Sequence, residues 1–157
     1  ESAFKEAERQ SALEAERIKN GLSSFLTENL KSVKALGGLD ELEQALLSKD
    51  GDALVGANFM LDHFNDALGA DVCYLMDNVG NTVASSNRNA TDSFVGENFG
   101  FRPYWREAVK GNPATYMALG ITSKKRGVYY SHPVYGEGGN TTIGVAVIKA
   151  SIESIEQ

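Results

Sequence analysis

Glu1 to Leu36 reads as one uninterrupted helical pattern, with no proline and with Gly21 as its sole weak point. Its first half, ESAFKEAERQSALEAERIKN, is rich in Glu, Ala and Arg and poor in large apolar residues. Such a helix cannot bury much against its own domain. From Ile18 the apolar spacing tightens, through Leu22, Phe25, Leu26, Leu30 and Val33, into a single helical face. Two readings stand. Either one amphipathic helix packs along a core, or its sparse half protrudes to meet a second copy of the chain or to continue into a membrane helix.

Gly37-Gly38 break that helix. Asp40 to Leu47 reads as a second helix and Ser48 to Gly51 as a turn. Asp52 is the expected cap of a third helix running to Leu68, with Leu54, Val55, Phe59, Phe64 and Leu68 as its apolar set and Gly69 as its stop. His63 lies on this helix with no partner at metal-ligand spacing and reads as a surface histidine. The character changes at Asp71. DVCYLMD is a strand, Asn78 to Asn81 a tight turn and Thr82 to Ser86 the return strand, a hairpin signal. A polar loop, Arg88 to Asn98, leads to a short helix from Pro103 to Lys110, with proline in its first turn. Strands follow at Thr115 to Leu119, Val128 to Val134 and Thr142 to Ala150. The last, TIGVAVIKA, is the most β-like and is expected at the centre of the sheet.

Helices first and strands after read as α+β, with a central antiparallel sheet of about five strands. No linker divides the chain. A single domain over 1–157 is expected, made of a long helix (1–36), a helical pair (37–70) and a sheet portion (71–157). At 157 residues and 42% hydrophobic content, the chain has enough material for one core. A net charge of -6 argues against a nucleic-acid surface. Lys124-Lys125-Arg126 reads as a solvated turn. The lone cysteine, Cys73, sits in the apolar run VCYLM and reads as a buried structural thiol. No stretch is apolar enough to span a membrane and no signal-peptide pattern is present. The chain starts mid-helix and stops in the polar SIESIEQ, as a piece of a longer protein would.

Chemistry of turnover finds little support. There is no nucleophile elbow, and Ser131 and His132 are strand neighbours whose side chains diverge. Two distant histidines and one cysteine make no metal set. Gly136 to Gly139 lies between strands with no helix after it, so it is a turn and not a phosphate cradle. No cofactor is implied. What remains is a binding constellation. Arg102, Tyr104 and Trp105 open the short helix. Tyr116, Thr122, Ser123, Tyr130 and Ser131 follow on strands and their loop, and Lys149 sits inside an apolar strand. An arginine fork suits a carboxylate, and a lysine in such a strand must reach water or an anion. Cations and hydroxyls without a catalytic base describe capture of an anion. The competing readings are a module that only dimerises and a small enzyme with no named nucleophile.

The order of motifs carries more. DVCYLMDNVGNTVASSN, SFVGENFGFRPYWREAVKG, TYMALGITSKKRGVYYSHPV and IGVAVIKASI together resemble the PDC-type (Cache) sensor domain, with the nearest likeness to four-carbon-dicarboxylate-sensing histidine kinases. The resemblance covers roughly residues 71–155. It implies a PAS-like antiparallel sheet with the long helix packed on it and a ligand pocket on one sheet face. It implies an extracytoplasmic (periplasmic) place between two membrane helices, with output to a kinase, cyclase or chemoreceptor module of the same parent chain. By position, Arg102, Tyr104 and Trp105 match the family's pocket helix, Tyr130 and Ser131 its pocket strand, and Thr122 its pocket loop. In the amino-acid-binding branch an aspartate stands at the place of Lys149 and a tyrosine at that of Asn98. A lysine reverses the charge, which suits an organic acid as ligand, a dicarboxylate among them. The dicarboxylate sensors carry two such modules in tandem, and this chain has the length of one.

Overall fold

The computed structural model describes residues 2–119 and 126–151. Helix α1 (Ser2–Gly37), α2 (Asp40–Ser48) and α3 (Gly51–Leu68) precede strands β1 (Val72–Asp77) and β2 (Thr82–Ser85). Then come α4 (Pro103–Val109), β3 (Ala114–Leu119), β4 (Arg126–Tyr135) and β5 (Thr142–Ser151). The strands form one antiparallel sheet in the order β2-β1-β5-β4-β3, so TIGVAVIKA is indeed central.

Both faces of this sheet are covered, and the pleat divides the core in two. On one face Cys73 and Leu75 of β1, Val128, Tyr130 and Val134 of β4 and Ala146, Ile148 and Ala150 of β5 pack against α1, α2 and α3. On the other, Val72, Tyr74, Met76, Val145 and Val147 pack under α4. Cys73 is fully buried in the first layer, and burial pushes its thiol up to about 12, so it is an inert core residue.

Val33 and Leu36 of α1 are buried, whereas residues 3–21 are exposed throughout, with Phe4, Leu13 and Ile18 each more than 60% exposed. A helix of 36 residues is about 54 Å long, so its first half stands clear of the sheet it packs on. In α3 the stripe that faces the core is Leu54, Ala57, Leu61 and Phe64, spaced three and four apart, with Ala57 and Leu61 fully buried. Val55 and Phe59, two of the expected apolar set, are about two-thirds exposed, because they lie one step off that stripe. The cap also differs from expectation. Asp50, not Asp52, accepts the amide of Ala53 at 2.8 Å. With the helix starting at Gly51, Ala53 is the third helical residue, and an N-cap side chain reaches that amide.

Tyr130 is fully buried beneath Phe25 of α1, ring centroids 6.3 Å apart, and its hydroxyl finds no hydrogen-bond partner among the described residues. A buried hydroxyl left unpaired costs about 1–3 kcal/mol. Tyr130→Phe is therefore expected to raise stability by about 1 kcal/mol. Urea unfolding followed by circular dichroism measures this, and a lower midpoint would refute it.

Candidate functional site

The second face carries the chemistry. Tyr104, fully buried on α4, stacks on Tyr129 of β4 with centroids 5.0 Å apart and planes 7° from parallel. Tyr116 of β3 tilts against both at 6.3 Å, because β3 pairs Tyr116 opposite Tyr129. The Tyr104 hydroxyl shares a 2.6 Å hydrogen bond with that of Tyr74. Phe94 and Phe99, from the loop before α4, close edge-on over Tyr74 at 5.2 and 6.2 Å. The result is a wall of six rings.

Backbone tethers fix α4 above it. Ser131 Oγ donates to the Tyr104 carbonyl at 2.9 Å, and Trp105 Nε1 donates to the Asp77 carbonyl at 3.1 Å. The segment ahead of α4 is held to the β1–β2 turn. Asn98 Nδ2 donates to the Val79 carbonyl and to Asn81 Oδ1, both at 3.0 Å, while Asn98 Oδ1 accepts the Gly100 amide at 2.9 Å. Gly80 (φ +93°) makes this docking feasible, since a Cβ there would stand 2.6 Å from Gly100 Cα.

Two cations border the rings. Arg102 is the N-cap of α4 and partly buried, its guanidinium 4.9 Å over the Phe101 ring. Burial pushes the Tyr74 and Tyr104 hydroxyls above the ordinary phenol range, and the Arg102 charge pulls both the other way. Lys149 Nζ lies 5.8 Å over Phe94 and 5.7 Å over Tyr129. Gly127 gives its stem room, since a Cβ there would sit 3.2 Å from Lys149 Cε. Among the described residues neither Arg102 nor Lys149 has a carboxylate within ion-pair distance.

No family model matches the chain. The C4-dicarboxylate transport sensor protein DctB of Pseudomonas aeruginosa is 46% identical over 124 residues, covering 78% of this chain and 20% of that protein. DctB of Rhizobium meliloti is 39% identical over 112 residues, covering 71% of this chain and 18% of its own length. The crystal structure of the V. cholerae histidine kinase DctB sensor domain superposes with a TM-score of 0.85 at 36% identity, over 96% of this chain and 57% of that one.

The chain is a PDC-type (Cache) sensor domain. It is an extracytoplasmic sensor domain of a signalling receptor, and it spans about a fifth of the length of the two full-length relatives. Among its described residues no helix is long and apolar enough to cross a membrane.

Within this PDC domain Arg102, Tyr104, Trp105, Tyr116, Ser131 and Lys149 gather at the α4 face. The Trp105 indole and the Ser131 hydroxyl are engaged in holding α4, which makes them supports of that face. Thr122 and Ser123 lie outside the described residues, as do Lys124 and Lys125. Tyr130 is not part of the assembly, since it points to the α1 face. Its neighbour Tyr129 takes the place expected for it, for residues 129 and 131 of a strand share a face and 130 does not. Alternation already separates Ser131 from His132, and it separates Tyr130 from Ser131 in the same way.

Tyr74, Phe94 and Phe99 complete the wall without having been singled out in the sequence. His63 is exposed and stacks on Phe59, and no metal-ligating group of three side chains occurs among the described residues. A surface concavity of about 550 Å³ is formed by Phe59, Asp62, His63, Asn65, Asp66 and Ser86. It shares no residue with the aromatic face, and Arg88 already engages Asp62 there at 2.7 and 2.8 Å.

Proposed function

We propose that this domain captures a small organic acid with one or two carboxylates at the α4 face. The observation that carries the reading is the pair of cations, Arg102 and Lys149, beside one aromatic wall with no carboxylate partner among the described residues. Desolvating an unpaired cation is costly, and an anion at this face offsets that cost. Arg102 supplies a planar fork for one carboxylate and Lys149 a point charge for a second. The rings exclude water and supply apolar wall to a short carbon chain. Likeness to sensors named for C4-dicarboxylate transport supports the same ligand class.

Output passes, in this reading, to a cytoplasmic histidine kinase module of the same parent chain. The exposed first half of α1 is the surface for a second copy, because its apolar residues find no cover in the domain. β4 and β5 touch α4 on one face and α1 on the other, so a ligand that draws α4 inward biases the seat of α1. It does so only by binding the two arrangements with different affinity.

A thermal-shift screen at low salt against mono- and dicarboxylates, amino acids and amines tests this. An acid at about one hundred times its dissociation constant is expected to add roughly 2.7 kcal/mol. A response to amines alone would overturn the anion site. No response to any compound would leave the dimerising module as the better account.

A further inference from the structure

We propose that Lys149 is a built-in cation. Its ammonium fills an aromatic slot that, once vacated, takes a small alkylammonium ion, so the lysine keeps amines off this face. The inference deepens the proposed acid site and rests on that reading for its biological meaning, though not for its test.

Lys149 is the one charge in β5. The register sets it opposite Val72 of β1 and Tyr129 of β4, so it emerges on the α4 face. Its ammonium lies within about 6 Å of two ring centroids, the range in which a ring quadrupole attracts a cation. Neither ring depends on the lysine for its position. Phe94 packs edge-on against Tyr74 at 5.2 Å and Phe99 at 5.3 Å, and its amide donates to Asn87 Oδ1 at 3.1 Å. Tyr129 is stacked on Tyr104. Shortening residue 149 therefore leaves the two rings standing and the place of the ammonium beside them vacated.

Rings hold a cation without neutralising it. The Lys149 charge stays available to an acid and repels a second cation. A carboxylate in the same place would do the reverse, and none lies there among the described residues. The lysine thus decides the sign of charge this face accepts by occupying the cation's own place.

The test is a titration of wild-type and Lys149→Ala domains with n-propylammonium chloride, at ionic strength matched with sodium chloride. n-Propanol and sodium propionate serve as neutral and anionic counterparts of the same length. Lys149→Ala is expected to bind n-propylammonium about tenfold more tightly than the wild type and to ignore n-propanol. Lys149→Met, which refills the slot without charge, is expected to gain nothing. Equal amine binding by wild type and Lys149→Ala overturns the proposal, as does a response to n-propanol that matches the amine. Lys149→Ser opens the same slot and substitutes for the alanine variant should that one fail to fold. The two readings fail separately, because acid binding is read on the wild type and the slot on the shortened variant.

Discussion

Asp77→Ala is expected to cost the domain about 3 kcal/mol, the largest loss of stability from any single polar side chain described above. Asp77 is only 6% exposed, and its Oδ1 accepts the amides of Val79 and Asn81 at 3.0 and 2.9 Å. Its Oδ2 faces Lys49 Nζ at 3.8 Å. Hydrogen bonds to a charged acceptor contribute about 1.5–3 kcal/mol each, and the exposed turn places these two at the lower end. The Lys49 pair adds little, because that lysine is more than half exposed. Asp77→Asn keeps an acceptor at Oδ1 and is expected to cost about 1 kcal/mol. Urea unfolding with a shared slope measures both, and equal losses for the two variants would show that charge, not acceptor geometry, decides. The same turn docks Asn98 and Gly100, so Asp77→Ala is also expected to weaken acid binding through Arg102.

The fold was largely legible because its signals were local. Asn78 to Asn81 between two apolar runs specified the β1–β2 hairpin, Pro103 opened α4, and Gly69 closed α3 in the left-handed conformation its φ of 63° displays. Lys149 was legible because a single charge inside TIGVAVIKA demands a reason. The phase of β4 was not. From Gly127 to Val134 this strand is covered on both faces, so no clean polar alternation tells Tyr129 from Tyr130. The partner strand settles it, since β5 sets Tyr129 beside Lys149 and Tyr130 beside Ile148. Phe94 and Phe99 were missed for another reason. They sit in an irregular segment, where no period links sequence position to a face, and only the tertiary docking of Asn98 brings them over Tyr74. In α3 two aspartates precede the apolar run, and the choice between them rests on which residue begins the helix.

Arg102→Ala is expected to weaken binding of the acid ligand about 100-fold while leaving the fold intact. The fold survives because Arg102 serves α4 through its backbone alone. Its carbonyl accepts the amides of Trp105 and Arg106 at 3.2 and 3.1 Å, its amide donates to Phe99 at 3.0 Å, and its side chain makes no cap bond. The guanidinium lies over the exposed Phe101 ring and makes no hydrogen bond or ion pair among the described residues, so alanine leaves no polar group without its partner. The affinity falls because a bidentate guanidinium–carboxylate pair contributes about 3 kcal/mol, and each 1.4 kcal/mol is a factor of ten. Arg102→Lys keeps the charge and loses the planar fork, so it is expected to recover only part of the affinity. Salt separates the two contributions. Charge attraction at this partly exposed rim weakens between 0.05 and about 0.5 M salt, and the alanine variant should show the shallower dependence. Isothermal titration at both salt concentrations reads affinity and slope together. Unchanged affinity in Arg102→Ala, with an unchanged unfolding midpoint, would place the anion elsewhere and leave Arg102 as a cap residue whose charge faces solvent.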